Sequence, residues 1–150
     1  MALTDSSAIL RGIVRMIRSS AEITGLLNGG IHEGLSSRQV PYPYILYGEV
    51  SAPIRTDNGR TGDKGSREID GLYDIRALAS KQRDAGTLAQ LIDRLFTDAE
   101  VALDAFVDGQ TVWYCQRVGS AGVGPDRDDE GRYYVDRGGT FRIRTVQPIT

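Results

Sequence analysis

The sequence predicts an α+β fold: a largely antiparallel (mixed) β-sheet with two amphipathic helices packed on one face, and long β-hairpin loops. Three observations predict it. Apolar residues recur at helical spacing in two segments, they alternate with polar residues in several others, and the alternating segments are joined mainly by hairpin-type turn signals. Helix, strands, helix, strands with such short links suits an antiparallel layer, because parallel strands need long crossovers. At 150 residues the chain has the size of one ordinary domain, so residues 1–150 are read as a single unit.

The first helix is expected over Ser6 to Arg18. Ile9, Leu10, Ile13, Val14, Met16 and Ile17 form one stripe, Arg11, Arg15 and Arg18 lie largely off it, and Asp5 suits the N-cap. A helix this short is marginal alone and must dock its stripe on a sheet, at roughly 1.5–3 kcal/mol per fully buried large apolar side chain. Ser19 and Glu22 have capping-box spacing and open a short second helical turn through Leu27, which Asn28-Gly29-Gly30 ends. A brief strand at Ile31 to Glu33 and a connection over Leu35 to Val40 follow.

Pro41 to Ser51 reads as the central strand. Tyr44, Leu46 and Val50 fall on one face and Ile45 and Tyr47 on the other, so neither face is plainly wet, and Pro41 and Pro43 suit a strand entrance. Residues 52 to 66 form a long polar loop rich in turn formers, compatible with an extended hairpin tip or a mobile loop. A second long strand, Arg67 to Ala79, sets Ile69, Tyr73, Ile75, Ala77 and Ala79 on one face and Glu68, Asp70, Asp74 and Arg76 on the other. Ser80 is expected to cap a helix from Lys81 to about Thr97, with Leu88, Leu91, Ile92, Leu95 and Phe96 on its apolar stripe. Val101, Leu103, Ala105 and Val107 alternate as a strand, and Asp108-Gly109 signals a hairpin into Thr111 to Val118. The acidic hairpin, 119–139, carries an acidic run at Asp126 to Glu130, read as a solvated tip or a non-adhesive lining for passing DNA. Arg132 to Val146 returns as a strand with a Gly138-Gly139 interruption suited to a bulge.

Helices on one face leave the other face of the sheet without cover. Tyr47, Leu72, Leu78, Val112 and Tyr114 then need a home, which predicts a subunit interface there.

Composition excludes more than it names. A formal net charge of −2 and a pI near 5.4 give no field that recruits nucleic acid or an anionic membrane. No apolar run approaches a membrane span, and synthesis in the cytosol is expected. The single cysteine, Cys115, sits among apolar neighbours and reads as a small buried residue. His32 is the only histidine, which removes Ser/His/Asp, Cys/His and multi-histidine metal arrangements, so neither an enzyme nor a cofactor protein is expected. Glu68, Asp70 and Asp74 share a strand face with arginines nearby and read as a salt-bridged wet surface, not a metal cluster. Lys64-Gly65-Ser66 lacks phosphate-loop spacing.

The order of several pieces resembles one family. The pieces are the leading helix, the segment GGIHEGLSSRQVPYPYILYGEVSAP, a polar loop, the strand REIDGLYDIRALAS, the helix AGTLAQLIDRLF and the final strand GGTFRIRTVQP. Together, from about Ile9 to Pro148, they resemble the tail-terminator, or tail-completion, proteins of long-tailed bacteriophages and gene transfer agents. The resemblance implies a virion structural protein of the tail and neck: a homo-hexameric ring that caps the tail tube, stops its polymerisation and forms the head-tail joining surface. Implied partners are further copies of itself, the tail tube protein and a head-side connector or stopper, with DNA only as passing cargo and no membrane. On this reading Tyr47, Leu72 and Tyr114 belong to a subunit contact, and Arg55, Asp57, Asn58, Arg60 and Lys64 touch the tube or line the lumen. The alternatives are a head-tail connector or stopper, a small ligand-binding module with residues 52–66 as its lid, and a DNA-binding domain using Arg132, Arg137, Arg142 and Arg144.

Overall fold

The computed structural model describes residues 5–34, 40–61 and 64–148, without the side chains of residues 5, 6, 58–61 and 64. The expected connection at 35–39 and the Asp5 cap side chain therefore lie outside the described residues. In chain order the elements are α1 (Asp5–Ser19), α2 (Ala21–Thr24), β1 (Ile31–Glu33), β2 (Tyr44–Glu49), β3 (Ile54–Thr61), β4 (Lys64–Ala79), α3 (Gln82–Phe96), α4 (Glu100–Asp104), β5 (Thr111–Ala121), β6 (Asp126–Arg127) and β7 (Tyr133–Pro148). The expected α+β class and mostly antiparallel mixed sheet are what the chain adopts.

The sheet runs β1-β2-β4-β7-β5, with β3 also on β4 and β6 also on β7. Among the described residues only β1 and β2 pair in parallel. The backbone of the fold is the β4–β7 ladder, two 16-residue strands in unbroken register from Ser66↔Pro148 to Ala79↔Val135. One edge of β4 is shared: β2 takes Tyr73 to Leu78, and β3 takes Lys64 to Asp70. The strand at 44–49 lies inside the sheet, with β1 on one edge and β4 on the other, as its two-sided apolar pattern predicted. That pattern arises because Ile45 faces the main core while Tyr44 and Leu46 pack with Val40 and Leu78 in a second, smaller cluster.

The main core lies between one sheet face and the helices. Ile9, Ile13, Met16 and Ile17 of α1 and Leu88, Ile92 and Phe96 of α3 meet Ile45, Ile69, Tyr73, Ile75, Phe141 and Ile143. Phe96 tilts against Phe141 at a ring separation of 5.6 Å, and the Cys115 thiol donates to the Phe96 carbonyl oxygen at 3.2 Å. Buried Thr145 donates its hydroxyl to Gln110 Oε1, which satisfies both polar groups inside the apolar layer.

Of the two readings of the polar segment at 52–66, the extended hairpin is the one the chain adopts, because β3 hydrogen-bonds antiparallel along the first half of β4. Several local expectations are corrected. The segment containing Leu103 is helical, with Val101 83 % exposed and Leu103 buried, so the apparent alternation was a helix read at the wrong period. Asp108-Gly109 is thus a helix-to-strand turn, with Gly109 at φ 74°, not the apex of a hairpin. The second helical turn is capped by Ser20, whose hydroxyl accepts from the Ile23 N–H; the N-cap of α3 is Lys81, not Ser80. Gly138-Gly139 makes no bulge against β4; the irregularities fall on β5, between Val112 and Tyr114 and between Arg117 and Gly119.

Candidate assembly surface

Strand alternation sends the other half of the β4 and β7 side chains to the face away from the helices. Along β4 these are Glu68, Asp70, Leu72, Asp74, Arg76 and Leu78; along β7 they include Tyr134, Asp136, Thr140, Arg142 and Arg144. The middle of this open face is a cross-strand polar ladder. Arg142 grips Asp70 with two bonds, Nε to Oδ1 at 2.9 Å and Nη2 to Oδ2 at 2.5 Å. Arg144 bonds Glu68 and approaches Asp70 at 3.6 Å, and the Thr140 hydroxyl donates to Asp74 at 2.7 Å. The Arg142 fork, against the opposing effect of burial and with the added charge of Arg144, holds the Asp70 carboxyl below the usual carboxylate range. Both arginines also cover rings of β5, Arg144 at 4.2 Å from the Trp113 centroid and Arg142 at 5.9 Å from that of Tyr114.

At one end the face is covered by the chain itself. Tyr42 stacks on Tyr44 and on Tyr134, at 5.5 and 6.2 Å, above Leu46 and Leu78. The 126–132 turn is pinned here: Asp128 accepts from the Tyr42 hydroxyl at 2.8 Å, from the Arg132 Nε at 2.8 Å, and from the backbone N–H groups of Glu130 and Arg132. The acidic run is therefore an organised turn tied to the entrance of β2, with Asp126, Asp129 and Glu130 left exposed. Beneath it Arg76 donates to Asp136 at 2.6 Å. Burial pushes the Asp136 carboxyl up, against the pull of Arg76.

At the other end a shallow groove of about 390 Å³ runs between Ala52, Ile54, Leu72 and Val118. Ile54 is 68 % and Val118 51 % exposed, an uncovered apolar strip beside a charged ladder.

The sequence-derived interface residues divide between two faces. Leu72 and Tyr114 lie half-buried on the open face, in the apolar strip and beneath Arg142 respectively. Tyr47 lies on the helix side, because its register partner on β4 is Ile75, a core residue. There it lines a groove with α1 and Glu33, and burial, then Glu33, raises its hydroxyl pKa. Leu78 and Val112, expected to need a partner, are buried within the chain. Arg55 and Asp57 are exposed on β3, where Asp57 pairs with Arg67 at 2.9 Å; the side chains of Asn58, Arg60 and Lys64 lie outside the described residues. Sequence reasoning missed Ile54 and Val118, whose signal was only an isolated apolar residue in a polar segment.

Other chemistry is accounted for locally. Among the described residues no group of His, Cys, Asp and Glu could hold a metal ion. His32 Nε2 lies 2.6 Å from the Gly29 carbonyl oxygen, a backbone tie. The Cys115 thiol is pushed up to about 12, first by burial and then by Glu100, far from a reactive thiolate. Of the arginines considered for DNA, Arg132, Arg142 and Arg144 already face carboxylates. No described helix is long and apolar enough to cross a membrane.

A sequence profile of the family described as tail completion protein gp17 matches residues 11–146, nearly the whole fold just described. The chain belongs to that family. It is thus a member of a bacteriophage tail completion family, and the resemblance carried by its ordered segments holds. The fold is also that of a chain in the virion of a native gene transfer agent particle, with a TM-score of 0.64 at 12 % identity, covering 97 % of this chain and 99 % of that one. No curated protein sequence matches.

Proposed function

We propose that this tail completion family member is a tail terminator. It closes as a homo-hexameric ring on the end of the tail tube, stops polymerisation of the tube protein, and offers its other side to the head-side connector or stopper. Its place is the neck of the virion of a long-tailed phage, with DNA passing through the ring as cargo; the role is structural and uses no cofactor. The observation that supports this reading is the open sheet face, where Ile54 and Val118 stand exposed and Leu72 half-buried beside an Arg–carboxylate ladder. Rings are built from heterologous contacts between two different patches. Leu72 and Tyr114 on the open face and Tyr47 on the helix side supply such a pair. The β3–β4 arm, with Arg55, Asp57, Asn58, Arg60 and Lys64, touches the tube or lines the lumen.

Electron microscopy of particles made without this gene tests the proposal. Headless tails of uncontrolled, excessive length are expected. Tails of normal length that fail to join heads would instead assign the connector or stopper role.

A further inference from the structure

The outer side of α1 carries a basic groove. Arg11, Arg15 and Arg18 are all exposed and line it together with Leu10, Val14 and Tyr47, around a space of about 440 Å³. Arg15 bonds Asp108 at 3.0 Å, and Glu33 supplies one carboxylate at the groove wall. Arg11 and Arg18 have no ion pair among the described residues. A groove with arginines over an apolar floor fits a rigid acidic turn.

The chain carries such a turn. Asp126, Asp129 and Glu130 stand exposed on a tip that Asp128 fixes through four hydrogen bonds. The tip lies over the open face, among Tyr44, Leu46 and Leu78, whereas α1 covers the opposite face. One copy's tip and its own α1 are therefore on opposite sides of the sheet. We infer that the acidic turn at 126–130 of one copy docks in the α1 groove of the next, and that this contact is the charged half of the ring seam. The inference rests on the ring reading above and adds to it the two surfaces that meet. Complementary charge makes the contact directional, because two tips or two α1 grooves repel.

The test uses phage particles carrying the chain with Arg18→Cys, Asp129→Cys, or both. Cys115 is fully buried and does not compete. Treated with a short bismaleimide, the double variant is expected to give a covalent ladder of the chain up to the ring, and each single variant a monomer band. No ladder from the double variant, or dimers from either single one, overturns the contact. In parallel, Arg18→Glu and Asp129→Lys are each expected to lower tail-to-head joining about tenfold or more, with recovery when both are combined. Joining unchanged in either single variant, or no recovery in the folded double variant, overturns it as well. Overlong tails on gene deletion combined with no ladder would leave the ring reading standing while this seam falls; normal tails on deletion would remove the terminator reading itself.

Discussion

A Cβ placed on Gly138 would stand 2.2 Å from the Ile75 carbonyl oxygen and 2.6 Å from the Arg76 Cα, so the close approach of β7 to β4 admits only glycine there. Gly138→Ala is expected to destabilise the chain by about 1–3 kcal/mol, read as a lower urea midpoint at unchanged m-value. Two carboxylates a few residues along the same ladder act in opposite senses with pH. Asp70, held low by the Arg142 fork, contributes stability that is present above about pH 4, the ordinary carboxyl value, and is lost as the pH falls through its lowered folded value. Asp136, pushed up by burial, binds its proton more tightly folded than unfolded, so its contribution falls as the pH rises from about 4. Urea titrations across the acid range check both. Relative to wild type, Asp70→Asn is expected to lose stability as the pH rises and Asp136→Asn to gain it; equal offsets at every pH would contradict the assignment.

At the scale of elements, α3 is anchored by Leu88, Ile92 and Phe96, the last fully buried against Phe141 at the end of its stripe. Phe96→Ala is expected to cost about 3–5 kcal/mol, measured by thermal or chemical unfolding. The elements legible in the sequence were those with a long, strong period: α1, α3, β4 and β7 lie close to where their apolar stripes put them. Of the short elements, β1 and α2 lie where the sequence put them, whereas α4 was read as a strand because so few apolar residues, Leu103 and Val107 among them, fit two periods at once. Caps slipped by one residue where neighbouring positions both offered plausible chemistry, Ser19 and Ser20 being the clear case. β3 was legible only as one of two readings because Asp57-Asn58-Gly59 is turn chemistry by composition, yet the free edge of β4 supplies the hydrogen bonds that make it a strand. The open face was legible in outline, as the side opposite two helices. Tyr47 was assigned with Leu72 because alternation within a strand fixes parity but not the register across strands, and Tyr47↔Ile75 decides its side.

For the whole molecule, two outcomes separate folding from assembly. Tyr47→Asp, at the half-buried wall of the α1 groove, is expected to leave a folded monomer by circular dichroism and to weaken ring formation; rings as stable as wild type would remove Tyr47 from the contact. Trp113 is the only tryptophan and is 42 % exposed on the edge strand, under Arg144. Its emission is expected to shift to the blue on assembly if the open face forms the seam, and to stay unchanged if that face remains wet.

The unbroken pairing of β4 with β7 joins Ser66 to Pro148 across both remaining helices and the whole 119–132 excursion. Loops that long are entropically slow to close, so the contact that dominates the native sheet is expected to form late. During synthesis β2, β3 and β4 emerge while the partner of β4 is still unmade, leaving its inner edge free to pair with another nascent chain. Polysomes crowded with this message are thus the setting in which the protein is most exposed to mispairing, and slowed translation through residues 80–132 would lengthen that interval.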